Sequence, residues 1–240
     1  MNSPTADTIV IDRRFNGPPA SANGGYMCGT VANLLGAGPA EVALRAPPPL
    51  DRPLTMRTAP GSVSILDGDT LVAEGHRLEA LDLSPPATLS AEAGDAAAQR
   101  YPWSEEHPFP TCFVCGPKRP QRDGLEIFTG PAEMPDVYGS TWTPAAELAD
   151  STGDVQPQFV WAALDCPTGL VALTSGGLVP GVLGTLAASI DSPLRAGERH
   201  TITAWGLGVE GRKRSAAAVI CGPDGQVRAR SRALWIELRR

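Results

Sequence analysis

The chain reads as an α+β protein made of two similar units, each one helix set against an antiparallel sheet. Two apolar, helix-compatible runs, residues 26–35 and 158–169, each stand ahead of a series of short β-like segments. The two series follow the same order of strand, Pro-Leu turn, strand and hairpin. The first shows Pro49-Leu50 with Arg52, Thr55-Met56-Arg57, and a hairpin over 63–73 turning at Asp67-Gly68. The second shows Pro193-Leu194 with Arg195, Thr201-Ile202-Thr203, and a hairpin over 218–229 turning at Asp224-Gly225. Hairpins resemble one another by chance, but matching order as well as matching pieces favours duplication. The expected boundaries are 1–83 for the first unit, 84–110 for a linker and 111–240 for the second unit.

In order, Ile9-Val10-Ile11 begins a strand. Asn23-Gly24-Gly25 before an apolar run and Gly36 after it mark both ends of the first helix. Residues 41–45 and 54–58 read as strands around the Pro-rich turn at 47–50, and 62–66 with 70–73 as a hairpin by its turn chemistry. Residues 84–110, rich in Pro, Ala, Ser and acid, read as a linker with a short helix at 91–99. Residues 123–128 and 137–143 read as strands, and 145–157 as a loop or short helix. The second apolar run carries Asp165 and is broken by Pro167 and Gly169. Beyond it, 170–174 and 184–190 read as strands or helix extension around a Gly-rich loop, Ser175-Gly176-Gly177, and 201–207, 215–220 and 227–238 as closing strands.

Composition narrows the function classes. At 240 residues, 42% hydrophobic and 19% charged, the chain can bury a sizeable core. A net charge of −6 argues against binding nucleic acid or an anionic membrane surface. Nothing reaches the ~18 uninterrupted apolar residues of a membrane span, and 1–8 lack the basic-then-apolar pattern of a signal peptide. Five irregularly spaced cysteines fit reduced thiols in a cytoplasm better than a disulfide framework.

Few residues carry recognisable chemistry. Asp165, at the end of an apolar run, is either a turn-former or a carboxylate placed in an apolar cleft. Cys112 and Cys115 supply two ligands where a structural zinc site wants four, so Cys166, Cys221 or His107 would have to complete it; a redox dithiol and a packed loop are the rivals. His107, between Glu105-Glu106 and Pro108, reads as a solvated linker residue. Arg212-Lys213-Arg214 reads as a solvated hairpin tip or a phosphate contact. No Ser-His-Asp arrangement or phosphate loop is present.

Asn16-Gly17-Pro18-Pro19, Asn23-Gly24-Gly25-Tyr26 and Cys112-Phe113-Val114-Cys115-Gly116-Pro117 with Gly124-Leu125 resemble motifs of the hot-dog acyl-CoA thioesterases, in the form with two hot-dog units in one chain. The resemblance covers most of the chain outside the linker. It implies antiparallel sheets wrapped around central helices, and an acid nine residues after a His-Gly-Gly helix start. Asn23 stands where that His is usual. Asp165 has the acid's place if Gln156-Pro157-Gln158 replaces His-Gly-Gly, whereas the matching position of the first helix is Ala32. The halves are therefore complementary, one with glycines and no acid, the other with an acid and no glycines. Asp165 lies some ~12 Å beyond its own helix start at 1.5 Å per residue, so an adjacent antiparallel helix must bring the amide end alongside.

The implied activity is hydrolysis of a small or medium acyl-CoA thioester without metal or cofactor. Helix-start N–H groups at Asn23, Gly24 and Gly25 would polarise the carbonyl, and Asp165 would act as general base or nucleophile. Tyr26, Trp161, Arg212 and Arg214 are the expected substrate contacts. A protein that binds acyl-CoA or a small ligand without cleaving it is the alternative. Enoyl-thioester hydration is disfavoured, because none of His76, His107 and His200 lies at a helix start. The resemblance also allows a homodimer of double units.

Overall fold

The computed structural model describes residues 7–103, 105–174 and 179–239; the Gly-rich loop at Ser175-Gly176-Gly177 lies outside them. Helix α1 (Gly24–Leu35) begins where the side chain of Asn23 accepts the Tyr26 N–H, and ends at Gly36, whose φ of 84° is the left-handed turn that glycine adopts most easily. Its buried face carries Met27, Cys28, Val31, Ala32 and Leu35. Helix α3 (Pro157–Thr174) starts on a proline, which suits a first helical position, and is buried on almost all sides. Between them, α2 (Ala91–Ala98) is capped by Ser90, whose Oγ accepts the Ala93 N–H at 3.2 Å.

Among the described residues eleven strands form one antiparallel sheet. They are β1 (Thr8–Val10), β2 (Ala40–Leu44), β3 (Pro53–Ala59), β4 (Ser62–Asp67), β5 (Thr70–Arg77), β6 (Gly130–Pro131), β7 (Val137–Trp142), β8 (Gly181–Ile190), β9 (His200–Glu210), β10 (Lys213–Cys221) and β11 (Val227–Glu237). Their order is β1-β3-β4-β5-β2-β8-β11-β10-β9-β7-β6. Read outward from the β2–β8 junction, where Val42 faces Leu186, the two sides repeat. β5 corresponds to β11, β4 to β10, β3 to β9 and β1 to β7, with α1 and α3 in equivalent places. The expected duplication is present as a pseudo-symmetric pair of units. Asp67-Gly68 and Asp224-Gly225 close the expected hairpins, with φ of 59° at Gly68 and 76° at Gly225.

The two helices lie against each other and run antiparallel, and glycine makes the approach possible. A Cβ on Gly29 would stand 2.6 Å from Gln158 Cα, and one on Gly25 would overlap Asp165 Cβ and stand 2.7 Å from Trp161 O. As α1 advances from Gly25 to Gly29, its neighbours on α3 step back from Asp165 to Gln158.

Three expectations need correction. The break at Pro167 is absent: α3 runs through it. Proline cannot bond the carbonyl one turn back, but the Thr168 hydroxyl donates to the Asp165 carbonyl at 2.6 Å and accepts Trp235 Nε1 at 3.0 Å. The Trp235 ring fills the space where a Cβ on Gly169 would stand. Packing of β11 thus holds a helix that local propensity would end, and Asp165 is inside a helix rather than at a turn. Residues 123–128 form no strand, because Arg122 (φ 65°) and Glu126 (φ 54°) bend the backbone and only short links, Leu125 N to Phe113 O and Ile127 N to Val114 O, tie it down. The 84–110 segment is also no loose linker: α2 packs on β7, with Gly94 against Ser140 and Asp95 accepting the Thr141 hydroxyl at 2.7 Å.

Candidate functional site

The start of α1 and the middle of α3 meet at one carboxylate. Asn23 Oδ1 accepts the Tyr26 N–H at 2.9 Å, which turns the Nδ2 of the same amide towards α3. There Nδ2 donates to Asp165 Oδ2 at 3.2 Å, and the Gly25 N–H donates to the same oxygen at 2.8 Å. Oδ1 is buried and has no hydrogen-bond partner. Asp165 is 1% exposed, and burial pushes its pKa up to about 7, helped by the nearby Cys112; the bonds from Gly25 and Asn23 oppose the shift without cancelling it. A carboxylate with one oxygen held and the other bare can take a proton from water near neutral pH.

Sequence reasoning expected both Gly24 and Gly25 to offer open amides. Gly25 instead gives its N–H to Asp165, while the Gly24 N–H meets no acceptor among the described residues. Gly24 borders a cavity of about 470 Å³, whose wall also contains Asn23, Asp165, Leu44, Leu183 and Trp235. Arg45, on the same cavity wall, is ion-paired with Glu74 at 2.6 Å.

The structure therefore brings together Asn23, Gly24, Gly25 and Asp165, across 142 residues of sequence between the Asn23 and Asp165 side chains. The four expected substrate contacts lie outside the cavity wall. Tyr26 stacks on Phe15 with ring centroids 4.1 Å apart, in a cluster with Phe113 and Phe159. Trp161 is buried in the α1–α3 contact, where its backbone oxygen faces Gly25 and its Cβ faces Gly29. Arg212 bonds the Glu237 carbonyl at 3.0 Å, and Arg214 is paired with the Glu237 carboxylate at 2.9 Å.

Of the residues that could join Cys112 and Cys115, the structure brings Cys166 to them on the cavity wall. Cys112 and Cys115 meet Cys166 of α3, with Cys112 Sγ 3.8 Å from Cys166 Sγ. His107 is not a solvated linker residue: it is 9% exposed, Nε2 lies 3.4 Å from Cys115 Sγ, and burial lowers its pKa. Hydrogen bonds from Cys115 and Cys166 hold Cys112 well below the ordinary thiol range, and push those two thiols up. Cys221, the third residue considered for this group, lies in a different cluster.

No family model matches the chain, and no curated protein matches it significantly. Solved structures do. A TesB protein of Mycobacterium avium subsp. paratuberculosis is 11% identical, with 91% of this chain and 88% of that one superposed at a TM-score of 0.59. A protein assigned as thioesterase II from Thermobifida fusca is 15% identical over 97% of this chain and 93% of its own, also at 0.59. A conserved protein of unknown function with a hot-dog fold, from Alicyclobacillus acidocaldarius, is 11% identical over 100% and 96%, at 0.55. At these identities the fold is what is shared: the chain is a double hot-dog protein. Among the described residues no helix is long and apolar enough to cross a membrane.

Proposed function

We propose that the protein hydrolyses an acyl thioester of a small or medium acyl group, with acyl-CoA as the substrate class. The observation that carries this reading is that Asp165, whose buried Oδ1 has no hydrogen-bond partner, and Gly24 at the start of α1 border one cavity. The acyl group would occupy the apolar wall formed by Leu44, Leu183 and Trp235. Its carbonyl would face the Gly24 N–H, where the helix dipole and an unpaired donor favour a developing oxyanion. Asp165 Oδ1 takes a proton from water as the water oxygen attacks the carbonyl carbon. The carbon–sulfur bond then breaks, and the proton returns to the departing thiolate, leaving a carboxylic acid and a free thiol.

Asn23 has a double part in this scheme. Its Oδ1 fixes the helix start and its Nδ2, with the Gly25 N–H, anchors Oδ2, so that Oδ1 is the oxygen left to react. The fold shared with the three structural neighbours supports the class of chemistry only by analogy.

The test is thiol release from acyl-CoA of graded chain length by the wild type and by Asp165→Asn, which keeps an acceptor for Gly25 and removes the base. Loss of release by at least about 100-fold is expected, with the circular dichroism spectrum unchanged. Wild-type protein that binds acyl-CoA by calorimetry but releases no thiol from any chain length would replace hydrolysis with ligand binding.

A further inference from the structure

We propose that Cys112, Cys115 and Cys166 bind one zinc ion, whose fourth coordination position opens into the cavity. The three sulfurs converge from a Cys-x-x-Cys turn and from α3, and all lie within 4.8 Å of one another. The Cys112–Cys166 separation of 3.8 Å equals the sulfur–sulfur edge of a tetrahedron built on zinc–sulfur bonds of about 2.3 Å, which is about 3.8 Å.

The surroundings of the sulfurs are those of metal thiolates. Asn23 Nδ2 lies 3.8 Å from both Cys112 Sγ and Cys166 Sγ. His107 Nδ1 accepts the Phe109 N–H at 2.7 Å, so the ring proton belongs on Nε2, which then donates to Cys115 Sγ at 3.4 Å. His107 is thus an outer partner of Cys115 rather than the fourth ligand. Such N–H donors favour thiolate over thiol and orient it. Three thiolates this close in a buried site repel one another unless a cation joins them. Among the described residues no lysine or arginine bonds to these sulfurs. A soft, tetrahedral, three-sulfur donor set selects zinc among the common divalent ions.

All three cysteines line the cavity, so solvent or a small ligand from the cavity completes the coordination. Binding displaces the thiol protons to solvent. The ion would tie the Cys112–Cys115 turn to α3 and so fix one wall of the cavity. This inference does not depend on the hydrolysis proposed above, because loading is read on the protein itself.

The full chain, reduced and stripped with a chelator under argon, is titrated with Zn²⁺ and separately with Co²⁺, with metal per chain read by native mass spectrometry. One ion per chain is expected, together with sulfur-to-cobalt charge-transfer absorption and the intense visible bands of tetrahedral cobalt. Cys166→Ser should weaken binding and reduce the charge-transfer intensity. His107→Ala should weaken binding by about 10–100-fold while keeping that intensity, as loss of an outer partner does. Cys221→Ser, whose thiol lies in a different cluster, should change neither. Reduced wild-type protein that binds no stoichiometric metal would overturn the proposal, as would a cobalt spectrum unchanged by Cys166→Ser. If the cysteine variants do not fold, the wild-type stoichiometry and charge-transfer spectrum alone decide.

Discussion

The two helix starts occupy equivalent places in the two units, and they have opposite chemistry. At α1, Asn23-Gly24-Gly25 presents a capping amide and backbone donors, and the facing position on α3 is Asp165. At α3 the same positions are Gln156, Pro157 and Gln158, and the residue equivalent to Asp165 is Ala32. Pro157 has no N–H to offer, whereas the Gly24 N–H at the matching position meets no acceptor among the described residues. The second start is instead joined to α1 at the surface, where Asn33 Nδ2 donates to Gln158 Oε1 at 2.9 Å. A duplicated fold can therefore keep the packing of two sites while the donors and the acid survive at only one.

This comparison can be broken by mutation. Gly25→Ala and Gly29→Ala both force a methyl into the α1–α3 contact, and each should cost about 1–3 kcal/mol in denaturant unfolding. Only Gly25→Ala displaces Asp165, so it alone should also lower kcat sharply in the folded fraction. Equal loss of activity in both variants would mean that the Asp165 contact has no special role. Ala32→Asp places an acid at the second site, where Ala32 is 6% exposed and Pro157 cannot donate. It should destabilise by about 1–3 kcal/mol or more and add no activity; a gain in thiol release would show that the second start is still competent.

Asn23→Ala removes a cap worth about 1 kcal/mol and one of the two bonds to Asp165 Oδ2. Asn23→Asp keeps the cap but sets a second carboxylate beside Asp165. Both should lower kcat, whereas only the alanine should lose the cap's stability; retained kcat in both would remove Asn23 from the site. The smallest effect is expected at Arg212, which bonds the Glu237 carbonyl outside the cavity. Arg212→Ala should change stability by no more than about 0.5 kcal/mol and leave KM unchanged. A rise in KM for a CoA thioester, absent for the same acyl group on a short thiol, would return Arg212 to the binding site.

Much of this architecture is legible in local sequence. Asn23 and Gly36 delimit α1, Asp67-Gly68 and Asp224-Gly225 place the hairpins, and the repeated order of pieces reveals two units. The meeting of Asp165 with α1 follows from the complementarity of the halves, although only the structure shows that Gly25 gives up its amide to the carboxylate. What local sequence hides is tertiary. Continuation of α3 past Pro167 depends on Thr168 and on Trp235 of β11, 67 residues away. Burial of His107 depends on Trp103 and Cys115 packed around it. The cavity wall draws on β2, β8 and β11, whose alternating residues look like any sheet core.

The most direct test of the shared site measures acyl-CoA binding and thiol release side by side on the wild type and Asp165→Asn. The account predicts comparable binding in both, with release falling by at least about 100-fold in the variant. Release at the wild-type rate by folded Asp165→Asn would contradict it.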